Sequence, residues 1–192
     1  MKLAGYRLRQ RDSISCGPTV AVVAAALLDD GYRSRLQTGP GWFGTEQDMV
    51  HRLVNRVWPR RLGMTPPGLA AAIADRCGVP CRWRIARGLL PGRVGAGADG
   101  LADGLADVLD TVRAGAPVPM LIGHLIPRHW VLIVSVTGER LRCFDPASGE
   151  LREVTVSAVR QAQLEGLGFG RPFAFVLPIR PGPRCAPQRV EL

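Results

Sequence analysis

Ten consecutive residues, Thr19 to Leu28, carry no charge and neither glycine nor proline, and they constrain this chain more than any other segment. They read Thr-Val-Ala-Val-Val-Ala-Ala-Ala-Leu-Leu, apolar all round a helix rather than along one stripe. A helix of that kind has no face to offer water and belongs inside a core. It is far short of the roughly 20 apolar residues that cross a bilayer. Gly17-Pro18 opens it, because proline at the first helical position gives up an N–H that would have no partner there. Asp29-Asp30-Gly31 ends it. As a secretory signal the run starts too late, behind Cys16, and a charged pair follows it directly. The expectation is a cytoplasmic chain with no membrane partner.

The remaining sequence can surround such a helix. With 192 residues, 46% apolar and 21% charged, one domain over residues 1–180 is expected, followed by a Pro-rich tail at 181–192. The net charge of +9 invites a nucleic-acid reading, but Lys2 is the one lysine. The arginines scatter from Arg7 to Arg189 without interleaved aromatic residues, so no nucleic-acid partner is expected. Five cysteines are an odd number, and a core of this size needs no disulfide framework. Cys77 and Cys81 sit four apart, yet no nearby histidine or second cysteine pair completes a four-ligand set. No metal and no cofactor are expected.

Punctuation along the chain outlines the elements. Thr45-Glu46-Gln47-Asp48 reads as the cap and acidic first turn of a helix running to about Val57, stopped before Pro59. Thr65-Pro66-Pro67 starts another, closing at Gly78. A strand follows over Cys81–Ala86. The Gly-rich stretch 88–100 reads as a loop, and a helix spans about Leu105 to Ala114. Strands are then expected at 118–123, 130–136, 141–144 and 173–177, with a helix from about Ser157 to Leu164. Helices lead and strands follow, which predicts an α+β fold: a helical half packed on a C-terminal antiparallel sheet.

One hairpin carries chemistry. The strand His129–Val136 turns at Thr137-Gly138-Glu139 and returns over Arg140–Asp145. A pairing of Ser135 with Glu139 also pairs His129 with Asp145, and neighbouring turn choices shift this by one or two residues. Opposed residues share a face with Cβ atoms roughly 4.5–5.5 Å apart, so a carboxylate could fix the tautomer of the ring. Pro146 leaves Asp145 at a strand end. His124 is the rival base, five residues upstream and off this ladder. Cys16 is the candidate nucleophile: the positive end of the helix dipole favours thiolate, and an imidazolium beside it would strengthen that. Its backbone N–H and the Gln10 side-chain amide are candidate donors to an oxyanion. The bland alternative makes Cys16 a small packed residue at a helix start, a description that Cys77, Cys81 and Cys143 fit better.

Gln10-Arg11-Asp12-Ser13-Ile14-Ser15-Cys16-Gly17-Pro18-Thr19, before an alanine-rich helix, resembles the nucleophile motif of papain-like cysteine peptidases. Gly115–Ile122, His129–Val134 and Phe144-Asp145-Pro146 resemble that family's second half. The likeness is greatest to the bacteriocin-processing (double-glycine leader) type and its stand-alone relatives. It implies a papain-like fold with the nucleophile on a buried central helix, and a peptide or amide-containing substrate. It assigns Cys16 as nucleophile, His129 as general base, Asp145 as its orienter and Gln10 to the oxyanion hole. An acyltransferase or transglutaminase-like enzyme could use the same residues, and a non-catalytic binding module could keep the fold. Trp130, next to the base, could shield the His129–Asp145 bond from water; Trp42, Trp58 and Trp83 read as core or rim residues.

Overall fold

The apolar run becomes helix α1, Cys16–Leu28, in which every residue from Cys16 through Ala26 is buried. The computed structural model to which it belongs describes residues 2–3, 6–35, 41–54, 63–86 and 97–179. Asp29 ends α1, its N–H bonding the Ala25 carbonyl at 3.0 Å. The same residue then starts a second helix, α2 (Asp30–Arg35), which the sequence reading lacked: its carboxylate accepts the Tyr32 N–H. A stop signal for one helix is thus the cap of the next.

The other helices are α3 (Trp42–Val54), α4 (Pro66–Cys77), α5 (Gly97–Arg113) and α6 (Val156–Arg160). Thr65 caps α4 through Gly68 N–H, and Gly78 closes it at φ 69°, as the sequence indicated. Three expectations need correction. Thr45 does not cap α3; it lies inside the first turn, its hydroxyl donating to Gly41 O at 3.2 Å. The expected end at Val57 lies outside the described residues. The Gly-rich stretch 88–100 is partly outside them too, but from Gly97 onward it is helical, so α5 starts well before Leu105. Its Gly-Leu-Ala-Asp echo repeats at a helical step, and Leu105, Val108, Leu109 and Val112 are buried at helical spacing. Helix α6 stops at Arg160 rather than Leu164, because Ala162 turns into the left-handed region at φ 55°. The 181–192 tail also lies outside the described residues.

Two short strands, β1 (Lys2–Leu3) and β2 (Tyr6–Arg7), pair with each other. The six others are β3 (Cys81–Ile85), β4 (Val118–Gly123), β5 (Pro127–Thr137), β6 (Arg140–Asp145), β7 (Glu150–Thr155) and β8 (Arg171–Pro178). They form one antiparallel sheet ordered β3-β8-β4-β5-β6-β7. β7 was not foreseen. It is an edge strand in which only Val154 is fully buried, so its apolar alternation is faint.

Both faces of the sheet are covered. Trp130, Leu132, Phe144, Leu121 and Val176 pack with α1 and α4, while Val131, Ile133, Cys143, Ile122 and Phe175 pack with α5 and α6. The alternation along β5 explains the division, since successive side chains leave on opposite faces. A fully buried Leu or Ile in either layer contributes about 1.5–3 kcal/mol. The fold class is therefore α+β as expected, with α5 on the face opposite α1.

Candidate active site

The chain enters α1 through a knotted turn. Asp12 Oδ1 accepts the Ile14 N–H at 3.1 Å, and Ser15 Oγ accepts the Asp12 N–H at 3.0 Å. Ser15 makes no side-chain cap to the helix, which leaves the first N–H groups of α1, including that of Cys16, without a side-chain partner from the cap. Gly17 has no room for a side chain: a Cβ there would lie 2.8 Å from Met64 Cβ. That close approach presses the helix start against Met64, whose carbonyl accepts the Trp130 indole N–H at 2.9 Å.

His129 and Asp145 meet because the hairpin is irregular. Thr137 pairs with Arg140 across the two-residue turn Gly138-Glu139, rather than the three-residue turn expected. The pairing then slips at Val134, so that Ile133 opposes Cys143 and Leu132 opposes Phe144. Carried one step further, Asp145 stands opposite Val131, one same-face step from His129. Without the slip, Asp145 would oppose Leu132 and share a face with Trp130 instead. A second slip, between Ile122 and Gly123 on β4, falls beside His129 itself. Bulges commonly re-aim side chains in this way near functional sites.

The resulting contact is close. His129 Nε2 lies 2.8 Å from Asp145 Oδ1, and both residues are buried. Asp145 Oδ1 also accepts the Ala147 N–H at 3.0 Å, Oδ2 accepts the Ser148 hydroxyl at 3.0 Å, and Arg152 Nε stands 3.4 Å from Oδ2. With Nε2 engaged, Nδ1 is the ring nitrogen left for Cys16, whose side chain acts on the imidazole and raises its pKa. Burial lowers the His129 pKa, but the hydrogen bonds and charges of Asp145 and Cys16 outweigh it and lift the ring to about 9. Burial alone would raise Asp145; the bond to His129 and those from Ala147 and Ser148 bring it down to about 2.

These directions fix a pH dependence of stability. The raised imidazole stabilises the fold fully below its ordinary value of 6.5, and this is lost as pH rises through about 9. The lowered carboxylate stabilises above its ordinary 3.8, and that is lost as pH falls through about 2. Melting temperatures of the wild type minus those of His129→Gln should therefore be greatest between about pH 4 and 6.5 and shrink on both sides. A difference independent of pH would contradict the ion pair.

Gln10 reaches this region through its backbone. Its N–H donates to Pro146 O at 2.8 Å, and Arg9 Nε donates to Ala147 O at 2.9 Å, docking the segment before Cys16 onto the turn after Asp145. Gly149 permits the approach: its φ is 73°, and a Cβ would lie 2.6 Å from Leu8 O. Gly149→Ala should cost about 1–3 kcal/mol, read as a lower denaturation midpoint. An unchanged midpoint would show that the two segments are not held together. The Gln10 side chain itself is only partly available: one Nε2 N–H donates to Asp12 O at 2.8 Å, and Oε1 is buried without a partner.

Other expectations fare differently. Trp130 is buried in the α1 layer, its indole N–H on Met64 O. The ring against His129 is Phe169, at 5.4 Å between centroids and 18° between planes. Sequence reasoning missed Phe169, which lies between Gly168 and Gly170 in a connection without periodicity. His124 is exposed and touches the same phenyl ring at 5.5 Å. Burial pushes Cys143 up to about 12 and, with the charge of Cys77 adding to it, Cys81 to about 12. Among the described residues the cysteines are free, no group of side chains is gathered that could hold a metal ion, and no helix is long and apolar enough to cross a membrane.

An α+β chain with a buried imidazole bonded to a buried carboxylate, and a buried thiol at the start of its central helix, is what fold and site define. No protein-family model matches the chain, and no curated protein matches it. Among solved structures it is similar to a double-glycine motif protease from an AMS/PCAT transporter, determined in complex with the leader peptide. The identity is 13%, the TM-score 0.48, and the match covers 88% of this chain and 87% of that one.

Proposed function

We propose that this chain is a papain-like cysteine peptidase or amidase that cleaves a peptide or amide bond through a thioester on Cys16. The observation that carries this reading is the imidazole of His129, hydrogen-bonded to Asp145 at 2.8 Å and raised in pKa by Cys16 as well as by that carboxylate. A ring lifted to about 9 is an imidazolium at neutral pH, paired with the Asp145 carboxylate and able to pass a proton to a departing amine.

In this mechanism the Cys16 sulfur attacks the substrate carbonyl carbon, and the carbonyl electrons move onto oxygen. The Cys16 backbone N–H and the second N–H of Gln10 Nε2 donate to that oxyanion. The intermediate collapses as the C–N bond breaks, and His129 Nδ1 passes its proton to the departing amine. Water then attacks the thioester while His129 takes up its proton. The second intermediate releases the carboxylic acid and restores the thiolate. Asp145 keeps the ring oriented throughout and stabilises its protonated form.

The test is a trapped intermediate. Mixing the protein with p-nitrophenyl acetate and quenching in acid should leave one acetyl group, located by peptide mapping on Cys16. Acetylation confined to other residues, or no adduct together with no ester turnover, would overturn the reading.

A further inference from the structure

The side chain of Gln47 is 2% exposed, and its amide makes three contacts that the chemistry above does not use. Oε1 accepts the Arg11 N–H at 3.2 Å, and Nε2 donates to Arg9 O at 3.4 Å. Those two groups belong to the peptide units on either side of Gln10. The third contact is to α1: Thr19 Oγ1 lies 3.0 Å from Gln47 Oε1 and 2.7 Å from Ser15 O, sharing one proton between them. Thr19 stands three residues after Cys16, in the first turn of the helix. One buried amide on α3 therefore spans both segments that would supply oxyanion donors. The adjacent residue adds to the clamp, since Asp48 pairs with the Arg11 guanidinium.

Gln10 is held on its far side as well, by its N–H on Pro146 O. Its backbone is thus fixed between the Asp145 turn and Gln47, while its side chain remains part-buried near the helix start. Rigid placement of this kind matters because an oxyanion donor works only when its N–H sits where the charge develops, without reorganising. Buried as it is, Gln47 can set the spacing of Gln10 and Cys16 without touching a substrate.

We propose that Gln47 is a positioning residue for the oxyanion hole, fixing Gln10 relative to the Cys16 helix start. The inference rests on the proposed function, and its test separates the two. Acylation of Cys16 by p-nitrophenyl acetate develops an oxyanion; alkylation of the same sulfur by iodoacetamide does not. In Gln47→Leu the acylation rate should fall about 10- to 100-fold, with alkylation within about twofold of wild type. Gln47→Glu keeps an acceptor for Arg11 and Thr19 but loses the donor to Arg9, and should fall between the two. Combining Gln47→Leu with Gln10→Ala should add little to either alone, since both remove the same donor from its place.

Several results would overturn the inference. One is acylation unaffected by Gln47→Leu while Gln10→Ala slows it. Another is acylation and alkylation falling together in both Gln47 variants, the mark of a merely structural role. Failure of the wild type to acylate at all, with alkylation of Cys16 intact, would overturn the proposed function and this inference with it.

Discussion

Cys16→Ala should lower ester and peptide hydrolysis by about 10⁴-fold or more, to the rate without protein. The sulfur is the atom that forms the covalent bond, and among the described residues no other thiol acts on His129 to replace it. Cys143 is buried in the opposite layer with its thiol pushed up to about 12. Cys77 and Cys81 are likewise raised by burial. The substitution is mild for the fold, because alanine is a good helix former and fits a position 4% exposed in a helix already rich in alanine. Initial rates and a thermal melt on the same preparation check both halves. The expected pair of results is lost turnover with a melt shifted by only a few degrees; retained turnover would end the enzymatic reading.

Asp145→Asn should reduce turnover about 10²- to 10⁴-fold while leaving a measurable residue. Asparagine preserves shape, but its single amide oxygen can accept only one of the Ala147 N–H and the Ser148 hydroxyl, which the carboxylate takes on different oxygens. It removes the negative charge, and its amide can present a donor to Nε2, favouring the wrong tautomer. The same change withdraws the principal contact that raises the His129 ring, so its pKa should fall from about 9. Imidazole proton resonances followed through a pH titration report that fall directly, alongside the rate. A His129 pKa unchanged by Asp145→Asn would mean that the carboxylate does not act on the ring.

Much of this arrangement is legible in the residues. An apolar helix behind Cys16-Gly17-Pro18 has one place to go, and α4 carries its cap and its stop in Thr65 and Gly78. The proximity of His129 and Asp145 follows from a hairpin whose strands are strongly β-forming. The shared face of the two was reached for an incomplete reason. A regular ladder across the actual two-residue turn would have placed Asp145 with Trp130, and the slip at Val134 restores the pairing. Nothing in Ile133-Val134-Ser135 marks a bulge, since its position is set by packing on both faces of the sheet.

The supporting residues were hidden for the same kind of reason. Phe169 and Gln47 act through contacts distant in sequence, and neither sits in a motif. Gln47 looked like part of an acidic first turn because Thr45 resembled a cap, whereas α3 begins three residues earlier and buries the amide. Edge strand β7 went unseen because one buried valine gives no usable alternation. Short-range chemistry was readable in the chain, and long-range docking was not.

The central proposition is that His129 activates the sulfur of Cys16. Its most direct test is iodoacetamide labelling at about pH 5.5, where an unassisted thiol of pKa about 8.5 is nearly inert, followed by peptide mapping of all five cysteines. Rapid labelling of Cys16 alone in the wild type, lost in His129→Ala, is the expected outcome. Labelling of Cys16 that is equally slow in both proteins, or spread evenly over the cysteines, would contradict it.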